Sequence, residues 1–372
     1  MVTPGFHPIR GGTESIVRSL SMELNKIGAK THVMTFNMDK KWKPKWKGKV
    51  EKIDGIRVFK IAALKLLPSS PRVNMNIHLI PAKFRDTMRR YDIIHFHEAE
   101  LSFPTFSFFI KKPKLLHLHG ISASYVKRYH LYRVLFKHVT NYYIAITREM
   151  KNNLIELGIS KSRIIYLPNA VDTKLFHPKR SEKEENLLLY LGRIVPVKGL
   201  HILLRSLSFI KKPVHLAIIG PADQSTSYYK QIINLIRKEN RRGIHKIEYL
   251  GIVPTEEAIK FYQKATIFIL PSFWEAFPVT LLEALACETP VISTPVGGIP
   301  EFVKNHKHGI LVPPNNSQKL AWAIQHLLDN NNLRAKMGRE GREWVTRNFS
   351  IDAIAKKLYV IYQRILKYQN QP

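Results

Sequence analysis

The 372-residue sequence predicts a doubly wound α/β fold in two halves, on two observations. Short apolar runs alternate with one-faced helical patterns along the whole chain, as parallel strands joined by helical crossovers require. The chain is also longer than one hydrophobic core usually serves, and 45% apolar residues supply material for two.

In the first half the strand candidates are residues 30–36 (KTHVMTF), 56–62, 92–97 (DIIHFH), 113–120 (PKLLHLHG), 142–147 and 163–169. Residues 13–28 read as the first helix, ending at Gly28 as a helix stop should. Only "MVTP" stands where a first strand of about five residues is normal, so the native start is expected to lie upstream. The charged stretch 177–186 (HPKRSEKEEN) reads as the linker. A second strand series follows at 187–193, 214–220, 247–251, 266–271, 290–294 and 309–313. From Ser350 on, Ile351, Ile354, Leu358, Ile361, Ile365 and Tyr368 trace one face of a serine-capped helix. The pattern amounts to two Rossmann-like halves facing across a cleft.

Composition narrows the partners. Lys and Arg number 59 against 28 Asp and Glu, a formal charge of +31. The first 170 residues hold 30 of those basic residues but only 11 of the acidic ones. Such a surface attracts an anionic membrane face, a phosphorylated substrate or another polyanion, unless it is simply a solvated charged exterior. No apolar run reaches bilayer length and no signal-peptide pattern opens the chain, so the cytoplasm is the expected compartment. A single cysteine, Cys287, forms no internal disulfide and no metal cluster.

The residues with chemistry fall at the expected strand ends. "FWEAFPVTLLEALACETPVIST" (273–294) places Glu275 in the loop after a strand and Glu283 on the next helix, read as 278–287 with Pro278 at its first position. The amides at such a helix start suit phosphate, and neighbouring carboxylates suit sugar diols. Arg193 and Lys198 flank a turn in "YLGRIVPVKGL", a fork and a point charge for phosphate oxygens. Gly11 and Gly12, in "HPIRGGTE", sit between the first strand and first helix; without GxGxxG or a P-loop lysine they weaken nicotinamide and ATP-hydrolase readings. "GGIPE" (297–301) is a second glycine turn before a helix, and "PNAVD" (168–172) closes the first half with a turn and an Asn/Asp cap. His117 and His119 alternate on one strand and His95 and His97 on another. No HxxxH pair or acidic triad accompanies them, and no Asp-x-Asp exists to carry a metal-bound diphosphate, so no metal is expected. Each feature alone has an ordinary structural explanation.

Taken in order, RGGTE, HLHG, PNAVD, GRIVPVKG, EAFPVTLLEALACETPVIST and GGIPE resemble the retaining nucleotide-sugar glycosyltransferases of the GT-B fold, family four, over nearly the whole chain. The resemblance implies an acceptor domain at 1–172, a nucleotide-sugar domain at 173–349 and a helix at 350–372 crossing back to the first. It implies a UDP- or GDP-hexose donor, a glycan or lipid-linked acceptor, and no metal or other cofactor. Glu275 would bind the hexose and Glu283 the ribose. Arg193 and Lys198 would neutralise the diphosphate, aided by the helix-start amides of Phe277 and Val279. Gly12 would approach the phosphates, the backbone near Ile252 would meet the base, and His119 would lie near the sugar 6-hydroxyl and the reacting carbon. Many members carry glycine where this chain has Ala276 and Pro278; Pro278 lacks the N–H that would add one phosphate donor.

The acceptor domain is the more basic half. "DKKWKPKWKGK" (39–49), with Lys41, Trp42, Lys43, Lys45, Trp46 and Lys47, has the composition of an anionic membrane interface, and basic 130–139 adds to it. A peripheral enzyme at the inner membrane face, acting on a lipid-linked or cell-surface glycan, is the expectation; nucleic acid is not an expected partner. A nucleotide-sugar 2-epimerase and a non-catalytic polyanion binder on the same scaffold are the alternatives.

Overall fold

The structure, a computed structural model, describes residues 1–6, 12–38, 48–62, 64–65, 78–79, 82–97, 107, 109–120, 134, 136–179 and 183–369. The chain forms two compact units, Met1–Asn169 with Ile351–Pro372, and Ala170–Ser350.

The first unit is built on β1 (Val2–Thr3), β2 (Val33–Phe36), β3 (Lys49–Ile53), β4 (Ile56–Ile61), β7 (Ile94–His97), β8 (Lys114–Leu118), β9 (Tyr142–Ala145) and β10 (Ile164–Tyr166). A separate two-stranded ladder pairs β5 (Leu64–Lys65) with β6 (His78–Leu79). The main sheet runs in the order β10-β9-β8-β7-β1-β2-β4-β3, parallel throughout except for β3 against β4. Each strand is shorter than the run that announces it, because the run also covers residues entering or leaving the sheet. β3 has no place among the sequence expectations. Its half-exposed, charged KVEKI conceals an edge strand, although Asp54-Gly55, both at positive φ, turn the chain as a tight hairpin demands.

Helix α1 (Gly12–Lys26) buries Ile16, Val17, Leu20 and Leu24 along one stripe, and Val17 joins Phe6, Val33, Ile56 and Val58 in the core. Helices α2 (Ala82–Arg89) and α3 (Arg148–Glu156) follow, the second capped by the Thr147 side chain on the Met150 amide. In the described part of 130–139, Phe136 and Val139 are buried while Val134 and His138 are exposed.

The second unit carries a parallel six-stranded sheet, order β13-β12-β11-β14-β15-β16. These strands are β11 (Leu187–Leu191), β12 (His215–Ile219), β13 (Lys246–Gly251), β14 (Ile267–Leu270), β15 (Val291–Ser293) and β16 (Gly309–Leu311). The helices are α4 (Leu200–Ser206), α5 (Ser227–Arg241), α6 (Thr255–Lys264), α7 (Val279–Ala286), α8 (Ile299–Phe302), α9 (Ser317–Asp329) and α10 (Asn331–Phe349). Buried on both faces, strands such as Leu187–Tyr190 and Ile267–Leu270 are continuously apolar.

The stretch 177–186 is not a free linker. The division between units falls at residues 169 and 170, and the described residues of the charged stretch, 177–179 and 183–186, belong to the second unit. There the Glu184 amide donates to the Lys264 carbonyl, and Lys183 Nζ donates to the Ala265 carbonyl and the Thr289 hydroxyl. Burial pulls the Lys183 amine down to about 8. The last helix, α11 (Ile351–Gln369), belongs to the first unit, where it packs on α1. It buries Ile351, Ile354, Leu358 and Ile365, while Tyr368, assigned to the same face in sequence, is exposed. Among the described residues no helix is long and apolar enough to cross a membrane.

Helix α10 lies directly on α7. A Cβ added at Gly338 would stand 2.3 Å from the Glu288 carbonyl oxygen. Gly338→Ala is therefore expected to destabilise the second unit by about 1–3 kcal/mol, lowering its melting temperature by roughly 2–4 °C per kcal/mol. Gly12→Ala, with no atom within 4 Å of the new carbon, should leave the curve in place. Calorimetry on the two variants makes the comparison.

Candidate functional site

The second sheet changes direction between β11 and β14, neighbours from which later strands spread to opposite sides. In an open α/β sheet the crevice at the carboxyl ends beside such a reversal is where ligands bind. The loops leaving these two strands are stitched together. The Phe273 amide donates to the Val197 carbonyl at 2.8 Å. Gly199, at φ +70, closes the β11 turn, and a Cβ there would meet the Pro271 carbonyl oxygen at 2.0 Å. From the other side Gly297, at φ +51, lies so near the Glu275 carbonyl that a Cβ would come within 1.7 Å of its oxygen. The Gly298 amide donates to the Ala276 carbonyl. The GGIPE turn thus backs the loop that carries Glu275.

Held in this way, the Glu275 carboxylate is buried, and it is paired. Lys198 Nζ donates to its Oε1 at 2.5 Å, and Ser272 Oγ donates to the same oxygen at 2.7 Å. Arg193 stands exposed at the end of β11, its carbonyl accepting from the Tyr190 hydroxyl. The two cations expected at this turn therefore differ: one is engaged with the acid and one faces solvent.

Helix α7 begins one residue later than the sequence suggests. Pro278 is extended (φ −70, ψ 113) and sits at the cap position, where no side chain caps the helix. With neither a cap nor a proline N–H, the first amides of α7, Val279 among them, present the positive end of the helix. Phe277 is buried against Phe302 and Phe349, anchoring the helix start, and Ala276 is half-buried beside it. Glu283, on the second turn, accepts a hydrogen bond at Oε2 from the Tyr262 hydroxyl of α6, at 2.7 Å. Although the residue keeps some accessible surface, its carboxyl is enclosed; burial pushes it up to about 7, against the Tyr262 bond, which pulls it down. Ile252 follows β13 and is 72% exposed.

The first unit presents a different cluster at its own sheet reversal, between β1 and β7. Four histidine rings from β7, β8 and the residue after β8 stack on one another: His95 on His97 and His117 on His119 at 4.3 Å, with His97 and His119 at 5.3 Å. His95, His97 and His117 are buried, and burial holds all three well below the usual imidazole range, so they are neutral. His119 is partly covered; burial draws it down to about 4, and the Asn169 side chain works the other way, raising it. Ligand atoms of His95, His97 and His117 lie within 4.8 Å of one another. Their ring planes, however, lie 7° to 35° apart. Such planes run side by side instead of meeting at one ion, so the cluster reads as a column of stacked imidazoles. Gly12, the first residue of α1, is exposed, with open space around it.

Gly11 and the interface residues Lys41, Trp42, Lys43, Lys45, Trp46 and Lys47 lie outside the described residues. Sequence reasoning missed Ser272 and Tyr262, and read Asn169 only as part of the PNAVD turn. Ser272 carries a faint signal, since Ser-x-x-Glu is the spacing of a reciprocal cap; Tyr262 carries none, reaching Glu283 from another helix.

Comparison with known proteins gives two family matches. Residues 10–175 match Glycosyltransferase Family 4, and residues 171–344 match Glycosyl transferases group 1. The chain is 31% identical to an uncharacterized glycosyltransferase of Methanocaldococcus jannaschii, over 68% of this chain and 69% of that one. It is 26% identical to the GDP-mannose-dependent alpha-(1-6)-phosphatidylinositol monomannoside mannosyltransferase of Mycobacterium tuberculosis, over 96% of each. Its fold matches the crystal structure of Anabaena HepE in complex with UDP-glucose, with a TM-score of 0.76 at 18% identity, covering 98% of this chain and 99% of that one. The two reversed parallel sheets, the motif order and these matches place the chain among the group 1 glycosyltransferases of the GT-B fold.

Proposed function

We propose that this glycosyltransferase moves a hexosyl unit from a nucleotide-diphosphate sugar to an acceptor hydroxyl, with retention of anomeric configuration and without a metal. The observation that carries the reading is the Lys198–Glu275 pair, cation and acid held together at the sheet reversal beside an uncapped helix start. A diphosphate at the start of α7 meets helix amides together with Arg193 and Lys198, so charge developing on the leaving group is met by groups already in place. Lys198 then divides its charge between phosphate and Glu275, whose carboxylate accepts hexose hydroxyls; Glu283 accepts those of the ribose. The backbone near Ile252 meets the base, and the Gly12 amide at the start of α1 approaches the phosphates. His119, neutral, lies by the sugar 6-hydroxyl and the reacting carbon, and the acceptor attacks from the face the diphosphate leaves.

A UDP- or GDP-hexose donor agrees with the UDP-glucose in the HepE structure and the GDP-mannose in the mycobacterial relative's name. The same name, with its phosphatidylinositol monomannoside, favours a lipid-linked or cell-surface glycan acceptor here. The lysine- and tryptophan-bearing 39–49 stretch has the chemistry to touch that face.

Arg193→Ala and Lys198→Ala are each expected to lower turnover by about 10²-fold or more, read as nucleoside diphosphate released from UDP-glucose or GDP-mannose; two variants with normal turnover would overturn the assignment. Lys198→Ala also strands a buried carboxylate, so its circular dichroism is checked alongside. Donor binding should depend on pH through Glu283. Its carboxyl sits at about 7 when unliganded, and the ionised form accepts the diol, so affinity for UDP-glucose rises as pH rises. Between pH 6 and pH 8 calorimetry should find about a tenfold gain, flattened in Glu283→Gln. Liposomes rich in anionic lipid should float the protein at low salt and release it at high salt; no flotation at low salt removes the membrane element.

A further inference from the structure

We propose that His97 is a positioning residue for His119, holding its ring in one plane and one tautomer from beneath. The proposal rests on the reading of His119 as the imidazole at the reacting carbon, and it adds a residue that this reading does not use.

His97 Nδ1 lies 3.0 Å from His119 Nε2. A neutral imidazole owns one N–H, so a hydrogen bond between two of them makes one ring the donor and the other the acceptor. Whichever way it runs, His119 is committed to a single tautomer. A lone partly exposed histidine would instead exchange tautomers and turn about its side-chain bonds.

His97 is itself immobilised. It is 2% exposed, stacked on His95 at 4.3 Å and facing His117, its register partner on β8, at 5.0 Å. His95 in turn is tied by Nδ1 to the Tyr362 hydroxyl of α11, at 2.5 Å. Packing alone does not account for the residue type. Among the described residues His97 Nε2 is buried with no hydrogen-bond partner, a cost that leucine or phenylalanine would avoid at this position. The polar atom that is used is Nδ1, and its partner is His119. A column of neutral rings can supply that bond where a charged residue could not stay buried.

The test compares His97→Phe, His97→Asn, His97→Gln and His119→Ala in the full chain. Phenylalanine keeps the stacked ring and removes the hydrogen bond. The asparagine amide falls near the place of Nδ1, and the glutamine amide extends to the place of Nε2. Side-chain 15N resonances of His119, which need no ligand, should show one tautomer in the parent and in His97→Asn, and a mixture in His97→Phe and His97→Gln. Turnover of UDP-glucose should fall about tenfold in His97→Phe with KM within about twofold, one lost hydrogen bond being worth roughly that factor, and recover in His97→Asn. Unchanged His119 resonances in His97→Phe overturn the proposal. So does an equal loss in the asparagine and glutamine variants, which would mean the site only fills space. If His97→Phe does not fold, the asparagine–glutamine pair decides alone. If His119→Ala keeps full turnover, the reading of His119 falls, while the resonances still report whether His97 holds the ring.

Discussion

The second unit depends on backbone approaching backbone with no side chain between. Gly199 and Gly297 each bring the main chain against the segment Pro271–Glu275, one from the β11 turn and one from the turn before α8. A β-carbon at either place would overlap a carbonyl oxygen, so the segment is gripped from two sides only because both residues are glycine. That grip sets the depth of Glu275. A carboxyl group buried this far needs polar partners, and Lys198 and Ser272 both bond its Oε1. Removing either charge of such a pair costs about 3–5 kcal/mol, because the survivor is left stranded. The acid is thus part of the architecture as well as of the chemistry.

Two kinds of electrostatics occupy the two units. In the second, formal charges and a helix terminus gather where β11 and β14 diverge, an arrangement suited to a leaving group that gains negative charge. In the first, the rings near the corresponding reversal are polar but uncharged, since burial drives their pKa values down. Neutral imidazoles can donate and accept hydrogen bonds without carrying charge.

Much of this was legible in the sequence, and the reasons differ by feature. Strand cores showed plainly because parallel strands covered on both faces are continuous apolar runs. β3 did not, since an exposed edge strand of lysines and a glutamate looks like loop, and only its Asp-Gly turn betrays it. The stretch 177–186 misled for the opposite reason: its lysines and glutamates suggested solvent, yet Lys183 and Glu184 find partners on β-strand and helix ends far along the chain. Glu275 and Glu283 were visible as anomalies, acids inside apolar sequence. Their partners Lys198 and Tyr262 lie 77 and 21 residues away, which no local pattern can join. The histidines showed their alternation on each strand, but that His97 meets His119 follows from β7 lying beside β8, a fact of sheet order.

The first unit is also discontinuous in sequence: α11 returns to it after the whole second unit has intervened. On the ribosome the first sheet therefore emerges with one flank of α1 bare and His95 without its tyrosine. At about 5–20 residues per second the covering helix arrives roughly 10–40 s later. During that interval the nascent chain carries an apolar stripe in search of a mate, the kind of surface that chaperones shield. A chain stopped before residue 351 would keep that stripe uncovered and leave His95 without Tyr362.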